Sequence, residues 1–377
     1  MRSALRHCAT LAAAFSLSPL AGAQSTVTVY GALDAYVGQQ SASGMSSRKV
    51  LNSSMNPNLL GFAGTESLGD GLSAGFVLEG QPALDTGLMG QGGKFWGRQS
   101  NVYLGGDFGR VTMGRIHLAG RGFGIKYTAT GWLTTDPLGN LAIASGSALG
   151  PVMNVDSVGG RVSNAVMYSS PRLAGFSFSL LQSAGEGGPF SGGAAKLTQF
   201  GMGYGAGAFS ADFVYNKIPE LLGNQVAQTD FSVGAQYAVG GVKLMASVFS
   251  HEGSSIAALG STTPIAGSSG TDRTFLIGAS YPSGLHTVGV SYGKLKAADV
   301  HRGRRPANVS APFSALVDDT TGWSVAYSYA LSKRTQLFAA YGTLSNAALG
   351  TASITPDLRP TAGGTSSLVA SGMRHSF

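Results

Sequence analysis

Apolar and polar residues alternate with a period of two along much of the chain, and this period is typical of β-strands. In the first such stretch, residues 26–37, Val27 and Val37 lie on one face, and Asp34 and Tyr36 lie on the other. About a dozen residues of alternation are enough to cross a bilayer as a tilted strand. The stretch therefore predicts a strand with one apolar face and one polar face.

The same alternation recurs later in the chain, at residues 209–216, 230–239, 274–281 and 323–331. Aromatic residues lie near the ends of several apolar faces, as in the aromatic girdles of membrane barrels. A soluble β-sandwich would also alternate, but its outward positions would carry charges. Here the polar faces contain mainly Ser, Thr, Gly and Gln, which favours an apolar outer wall around a water-filled lumen.

The connections between these stretches fall into two classes that alternate strictly along the chain. Seven are tight, such as those at residues 69–71 and 240–241, and eight are longer and polar or Gly-rich. The longer ones are centred near residues 48, 88, 138, 190, 222, 262, 308 and 355. Fifteen connections join sixteen strands. We therefore predict an all-β fold, a 16-stranded antiparallel transmembrane β-barrel with short periplasmic turns and long external loops.

One interval, the 45 residues between Arg115 and Arg161, shows no sustained alternation. A connection of this length without its own strands is usually functional or wrongly assigned. Sixteen strands about 4.8 Å apart and tilted near 45° enclose a backbone diameter of about 30–35 Å, which is too wide to sieve small solutes. We therefore predict that this third long loop folds into the barrel and narrows its lumen.

Composition supports a membrane barrel and argues against a membrane-spanning helix. Asp, Glu, Lys and Arg make up 11% of the 377 residues, against about 25% in ordinary soluble domains. Mean hydropathy is +0.14, yet no apolar run of about 18 residues follows the N-terminus. The 57 glycines suit many turns and strands with little side-chain bulk, and the aromatic content of 9% argues against disorder.

The first 23 residues are predicted to be a signal peptide, which leaves residues 24–377 as the barrel domain. Arg2 and Arg6 form a basic start, an apolar segment follows, and small residues precede the expected cleavage site. The alternative is a buried first helix. Cleavage would remove Cys8, the only cysteine, and leave a net charge of +5. The mature chain would then have no disulfide and no thiolate metal site.

Four motifs resemble, in this order along the chain, those of the general porins of Gram-negative bacteria, in the group common in β-proteobacteria. They occupy residues 25–34, 60–69, 164–171 and 374–377. The resemblance covers the whole mature chain and implies a homotrimer in the outer membrane, in contact with its lipid and lipopolysaccharide. It also implies passive diffusion of small hydrophilic solutes and ions through the lumen.

Six charged residues are candidates for the channel constriction, where rings of charge set ion selectivity. They are Arg98, Arg115, Arg121, Lys126, Asp136 and Arg161. By the motifs around them, Arg98 and Arg161 match wall arginines of the family, and Arg115 matches the basic residue that precedes the inward loop. In the family such arginines face acidic groups on that loop. The alternative for each arginine is a place at the membrane interface or in a loop, facing headgroups.

Two departures from the family pattern bear on ion preference. Leu59 and Ala63 stand where family members commonly carry basic residues, which weakens an anion preference. The third loop is usually acidic, but here its two bases balance its two acids, Asp136 and Asp156, and this strengthens an anion preference. Asp136 is expected to form the acidic tip of the loop. The balance predicts a mild preference for anions.

The chain ends at Phe377, which places an aromatic residue at a membrane interface and is predicted to act as an assembly signal.

The sequence predicts no enzymatic activity, no cofactor and no metal site. His251 lacks the second histidine of a zinc helix, residues 92–95 lack the spacing of a phosphate loop, and no Gly-x-Ser-x-Gly elbow occurs. The basic run at residues 301–305 is too short to indicate nucleic-acid binding and suits lipopolysaccharide phosphates better. Three alternatives stay open: a substrate-specific channel of the same fold, an outer-membrane hydrolase with His251 or His301 as base, and a structural barrel without transport.

Overall fold

The computed structural model describes residues 26–52, 57–131, 133–137, 140–141, 160–184, 196–218, 228–253, 256–257, 269–306, 315–355 and 357–377. The predicted signal peptide at residues 1–23 lies outside these residues, and so does Asp156 of the third loop. The predicted loop centres near residues 138, 190, 222, 262 and 308 also lie outside them.

The described part of the chain consists almost entirely of β-strands. The strands are β1 (Thr26–Ala42), β2 (Met45–Asn52), β3 (Leu59–Gly69), β4 (Leu72–Gly80), β5 (Gln99–Gly106), β6 (Gly109–His117), β7 (Arg161–Ser169), β8 (Phe176–Ser183), β9 (Leu197–Ala206), β10 (Phe209–Ile218), β11 (Gln228–Val239), β12 (Val242–Glu252), β13 (Ile256–Ala257), β14 (Thr271–Ser283), β15 (His286–Lys296), β16 (Arg305–Pro306), β17 (Thr320–Ala330), β18 (Thr335–Asn346) and β19 (Thr365–Ser376). Among these described residues, the α-helix α1 (Ala119–Lys126) lies between β6 and β7, and a 3₁₀-helix (Asp299–His301) lies between β15 and β16.

Seventeen of these strands form one antiparallel sheet that closes on itself. The first strand pairs with the last, for instance Asp34 of β1 with Arg374 of β19, and this contact completes the barrel. Both β2 and β3 pair with β1, through residues 35–42 and 26–32 respectively, so these two segments together make one strand of the wall. The predicted sixteen-stranded barrel is therefore confirmed. The short strands β13 and β16 pair only with each other.

The prediction of a first long loop centred near residue 48 is wrong. That position lies within β2, which pairs with β1 from Ala42–Met45 to Ala35–Asn52. A two-residue turn at Ser43 and Gly44, with φ of 46° and 84°, joins the two strands. The sequence of β2 has no apolar and polar alternation, so the pattern that predicts membrane strands does not detect it.

The seven connections predicted to be tight gather at one end of the barrel, which we call the turn end. The other connections, including the two-residue turn at Ser43 and Gly44, lie at the opposite loop end. The tight turn between β11 and β12 is typical. Gly240 and Gly241 both have positive φ, 57° and 82°, as a two-residue hairpin of this hand requires. All seven connections that the sequence predicts to be tight are thus short turns in the structure.

The two faces of the wall have the predicted polarity. Outward side chains such as Val27 and Ile277 are exposed by 64% and 61%, because they form the apolar surface that lipid would cover. Inward side chains such as Asp34, Ser247 and Ser291 are polar and buried. Among the described residues, no helix combines the length and the apolar character that a membrane crossing requires.

The described parts of two long loops pack inside the barrel. The third loop, described at residues 118–131, 133–137, 140–141 and 160, contributes Leu133 and Leu141 to an apolar cluster in the lumen, which confirms its predicted inward fold. The last loop, residues 347–364, contributes Ile354 to the same cluster, and β15, β18 and β19 contribute wall residues. The inward position of the last loop is a finding that the sequence did not predict.

The C-terminal residue closes the seam between the first and last strands. The backbone N–H of Gly31 donates to the carbonyl of Phe377 over 3.1 Å, and the N–H of Phe377 donates to the carbonyl of Gly31 over 3.0 Å. A Cβ atom on Gly31 would lie 2.3 Å from the Phe377 ring, so the ring covers this glycine.

Deletion of Phe377 is expected to lower the yield of folded barrel, because it removes both hydrogen bonds and the aromatic cover of Gly31. The yield is measured as the fraction of protein that migrates faster before boiling than after it. Phe377→Leu is the control, since it keeps the backbone hydrogen bonds and an apolar side chain. Equal yields for the deletion variant and the wild type would contradict the predicted assembly role.

Candidate constriction site

The third loop lies on a row of glycines in the lumen-facing wall, which we call the glycine track. A Cβ atom at any of these positions would come within 2.2–3.2 Å of the loop. The glycines of the track are Gly201 of β9, Gly234 of β11, Gly278 of β14, Gly289 of β15 and Gly342 of β18. Because these positions have no side chain, the loop backbone can approach the wall directly.

Polar contacts fix both ends of α1 to the wall. At its start, the backbone N–H of Ala119 donates to the Oε1 atom of Gln199 over 2.7 Å. At its end, Lys126 forms a salt bridge with Asp212 of β10, and the Tyr127 hydroxyl donates to the same carboxylate over 2.6 Å. Burial and this carboxylate both raise the pKa of Tyr127, so its hydroxyl stays protonated and continues to donate.

Farther along the loop, Asp136 is also bound to the wall. Its carboxylate accepts hydrogen bonds from Thr130 of the loop and from Ser291 of β15, the latter over 2.9 Å. Asp136 is 1% exposed, so this carboxylate does not project into an open lumen as the expected acidic tip would. The neighbouring Thr135 hydroxyl accepts from Ser324 of β17 over 3.0 Å.

Four arginines gather where the third loop leaves the wall, and we call them the arginine cluster. They are Arg98, Arg115, Arg121 and Arg161. Arg98 forms a salt bridge with Glu79 of β4 over 3.3 Å. Arg115 donates to the carbonyl of Gly97 over 2.7 Å and to Ser163 over 2.9 Å. Arg161 donates to Gln91 over 3.4 Å.

Among the described residues, the cluster has an excess of positive charge. Arg121, Arg98 and Arg115 all repel the charge of Arg161, and the described carboxylate that offsets this repulsion is Glu79. Four guanidinium groups and one carboxylate give a formal charge of +3. Burial and, to a lesser extent, the charge of Arg98 lower the pKa of Arg121 to about 10, so Arg121 remains charged at neutral pH.

Glu79 is held by contacts that the sequence does not reveal. The Tyr30 hydroxyl donates to Glu79 over 2.8 Å, although the two residues lie on β1 and β4 with β3 between them. Gly61 of β3 is the cross-strand partner of both residues, and a Cβ atom there would lie 2.5 Å from the tyrosine ring. The missing side chain of Gly61 therefore lets Tyr30 reach across a strand to the acid that partners Arg98.

A cavity of about 720 Å³ leads from the turn end to the arginine cluster. Its lining includes Gln99, Asn101, Thr112 and His117 of β5 and β6. His117 lies at the inner end of the cavity, where all four arginines of the cluster repel a positive charge on its ring. The polar lining and the adjacent positive charge suit a passage for hydrated anions.

The structure thus brings together four of the six predicted constriction residues, namely the four arginines. Lys126 and Asp136 lie apart from the cluster and hold the third loop against the wall. The sequence assigned no role to Glu79, Tyr30 or His117. Their position on alternating strands was the available signal, but their partners depend on strand register. Within the described residues, no group of three or more His, Cys, Asp or Glu side chains could hold a metal ion.

Comparison with known families and structures gives consistent results. The sequence pattern of the Gram-negative porin family matches residues 9–349. Outer membrane porin protein 32 of Delftia acidovorans is 34% identical over 188 residues, which are 47% of this chain and 48% of that protein. An outer membrane porin protein of Bordetella pertussis is 30% identical over 45% of this chain and 46% of its own length. The chain spans about half the length of these curated relatives.

Solved structures share the fold at lower identity. An anion-selective porin from Comamonas acidovorans superposes with a TM-score of 0.72 and 23% identity, covering 94% of this chain and 100% of that one. OmpT of Vibrio cholerae, in a structure titled as a trimer form, gives a TM-score of 0.62 and 14% identity over 94% of this chain and 99% of that one. These matches support the barrel fold described above.

A disulfide between Ala119→Cys and Gly201→Cys is expected to form, because the Cβ atoms at these positions lie 3.2 Å apart, close to the disulfide range of about 3.5–4.5 Å. The measurement is thiol titration of the oxidised mature chain. Gly240→Cys replaces Gly201→Cys in the control, since Gly240 lies in a turn with no atom of the loop nearby. Two free thiols in the first variant would show that the third loop does not start against β9.

Proposed function

The chain belongs to the Gram-negative porin family, and from this premise we propose that it forms a water-filled channel across the outer membrane. Small hydrophilic solutes and ions cross it by passive diffusion, with a mild preference for anions. The observation that carries this proposal is the arginine cluster beside the inward loop of a closed barrel, where the described charged groups sum to a formal charge of +3.

The size of the lumen supports passive sieving. A barrel of sixteen strands encloses a backbone diameter of about 30–35 Å, far wider than a small solute. The third loop and the last loop both fill part of this space, and the apolar cluster around Leu133 and Ile354 binds them to one side of the wall. The polar cavity along β5 and β6 lies on the other side, beside the arginines.

The sign of the charge supports anion preference. In the family pattern, acidic groups on the inward loop face the wall arginines, but here the described part of the loop presents Arg121 to Arg98 and Arg161. Asp136 is turned into the wall and does not balance them. A charge at 4 Å contributes about 1 kcal/mol in bulk water, which corresponds to roughly fivefold selectivity and not to exclusion.

A substrate-specific channel is the alternative, and it would need an aromatic track or a dedicated site in the lumen. The loop aromatics Phe123 and Tyr127 are each 3% exposed and pack against the wall, so neither offers a stacking surface to a passing solute. Saturable block of the conductance by one solute would favour this alternative.

We further propose a homotrimer that contacts outer-membrane lipid and lipopolysaccharide and has no enzymatic activity. The histidines that a hydrolase would use as bases, His251 and His301, are 0% and 1% exposed and are hydrogen-bonded to Asp230 and Asp272. Neither ring can reach a substrate in solution in this arrangement. A single band of monomer size in mild detergent would contradict the trimer.

Loss of Arg98 and Arg161 is expected to reduce the anion preference, because the double variant Arg98→Ala with Arg161→Ala removes half of the positive charge of the cluster. The measurement is the zero-current potential across a planar bilayer in a potassium chloride gradient. Added salt is expected to shrink the preference, since the screening length falls to about 3 Å at 1 M.

Lys333→Ala with Arg334→Ala is the control for this test, because it removes the same charge at an exposed turn between β17 and β18. Cation preference in the wild type would refute the proposed sign. Unaltered selectivity in the arginine variant would remove Arg98 and Arg161 from the constriction.

The salt bridge between Lys126 and Asp212 is expected to position Arg121, because it holds the end of α1 to β10. The double variant Lys126→Met with Asp212→Asn breaks this contact without changing the net charge. We expect noisier open-channel current and a weaker anion preference than in the wild type. The single variant Asp212→Asn separates two possible causes of a change in anion preference. Loss of the negative charge of Asp212 would raise the preference, whereas displacement of Arg121 would lower it.

The matched control is Lys49→Met with Asp357→Asn, which breaks an exposed salt bridge of 3.2 Å at the loop end and is also neutral overall. If the double variant of Lys126 and Asp212 had the same current noise and the same ion selectivity as the wild type, the result would contradict the role of this salt bridge in positioning Arg121.

A further inference from the structure

Two aspartates and two histidines form a buried row at the loop end of the wall, which we call the Asp–His row. His251 of β12 has Asp230 of β11 as its cross-strand partner on one side and Asp272 of β14 on the other. His301, at the end of the 3₁₀-helix, contacts Asp272. All four residues are at most 1% exposed. Acids and histidines therefore alternate across three strands and the loop that follows β15.

Each histidine of the row is bound to an aspartate through its Nδ1 atom. The Nδ1 atom of His251 is hydrogen-bonded to Asp230, and the Nδ1 atom of His301 lies 2.8 Å from the Oδ2 atom of Asp272. The Oδ1 atom of Asp272 also accepts a hydrogen bond from the backbone N–H of Ala298 over 2.8 Å. Asp272 thus holds both ends of the segment 298–301 against β14.

This segment leads directly to further contacts at the external mouth. Arg302 forms salt bridges with Asp318 and with Asp319, the latter over 2.9 Å. The Oδ2 atom of Asp318 accepts a hydrogen bond from the backbone N–H of Leu349 over 3.0 Å, at the start of the last loop. The Asp–His row therefore holds the 3₁₀-helix, and through Arg302 it also holds the last loop, which fills part of the lumen.

The charge of the two rings decides whether the row is balanced. Imidazole is the side chain that ordinarily changes its charge between about pH 5 and 8. With both rings protonated, the row has two positive and two negative charges, whereas with both rings neutral its two buried carboxylates are uncompensated. Burial opposes a positive charge on His251, but Asp230, Asp272 and Glu252 attract it. Loss of the protons is therefore expected to weaken the row, because uncompensated charge is costly in a buried site.

Other charged groups around the row do not replace the two protons. On the described elements packed against it, they are Lys217 of β10, Glu252 of β12, Arg273 of β14, Lys294 and Lys296 of β15, and Asp299, Arg302 and Arg304 of the following loop. All of them except Arg302 are exposed, so water and salt screen their charges. Arg302 is bound by its own carboxylates, Asp318 and Asp319.

We propose that the Asp–His row is a pH-sensitive latch for the external mouth of the channel. At about pH 5.5 the protonated rings hold the 3₁₀-helix and the last loop in the positions described, and at about pH 8.5 the weakened row lets both segments detach. The latch acts at the loop end, apart from the arginine cluster and its ion selectivity. It depends on the proposed channel only for its electrical readout.

Amide hydrogen exchange of the mature chain in detergent tests the latch, because Asp319 and Asp272 hold the N–H groups of Ala297 and Ala298. After correction for the intrinsic effect of pH, exchange in residues 297–302 is expected to be about tenfold faster at about pH 8.5 than at about pH 5.5, since one pKa unit of coupling changes the docking equilibrium about tenfold. The hydrogen-bonded turn at residues 331–335 is the internal control and should show no such change.

The double variant His251→Asn with His301→Asn keeps an N–H donor near each Nδ1 position but cannot gain a proton there. We expect it to exchange rapidly at both pH values, and to show at about pH 5.5 the increased open-channel noise that the wild type shows at about pH 8.5. The matched control is His286→Asn with His375→Asn, which replaces two exposed histidines at the turn end and should keep the wild-type response. His301→Asn alone changes no residue of the wall, so it guards against misfolding and should also lose the response.

A wild-type response to pH in the double variant or in folded His301→Asn overturns the proposal, and so does equal corrected exchange at both pH values in the wild type. Loss of the response in the turn-end control, or in His117→Asn at the arginine cluster, would place the pH sensor elsewhere and also overturn it. Exchange that follows pH as expected, without any channel current, would contradict the proposed channel and still support the latch.

Discussion

The pairing of every backbone amide in the hydrocarbon layer is the constraint on which the rest of this structure depends. An open sheet would leave unpaired N–H and C=O groups against lipid, so the wall must close. Closure occurs where β1 meets β19. With sixteen strands, the closed wall encloses a space far larger than small solutes need, and the interior must be filled by something other than the wall.

The loops fill the lumen mainly on one side, so the packed residues and the clustered charges lie on opposite sides of it. Along β9 to β18 the glycine track and the apolar cluster hold the third loop close to the wall. Near β4 to β7 the wall instead presents Glu79 and three of the clustered arginines. Tyr30 reaches Glu79 only because Gly61 has no side chain. One side of the lumen is therefore a packed interior, and the other is a polar passage with excess positive charge.

The sequence predicts the parts of this arrangement that follow from local pattern. The alternation of apolar and polar residues in stretches such as 26–37 predicts the strands of the barrel wall. The absence of such alternation between Arg115 and Arg161 predicts the inward loop. The arginines come together because Arg98, Arg115 and Arg161 lie at or just before the loop ends of three neighbouring strands, β5 to β7. Lys126 and Asp136 could not be placed in this way, since their partners Asp212 and Ser291 lie 86 and 155 residues farther along the chain. The inward last loop escaped prediction for the same reason, because its contacts depend on the finished barrel.

The glycine track also constrains the order of assembly. The third loop precedes β7 in the sequence, yet it rests on glycines of strands from β9 to β18. Only the start of the loop can dock on β9 early, and the rest of its docking surface is absent until the later strands exist. Contacts between distant parts of a chain form slowly. A nascent barrel passes through a stage in which its lumen is wide and the loop is loose. The narrow, charged passage is consequently the last feature to mature, and selectivity appears only when β18 and β19 have sealed the wall.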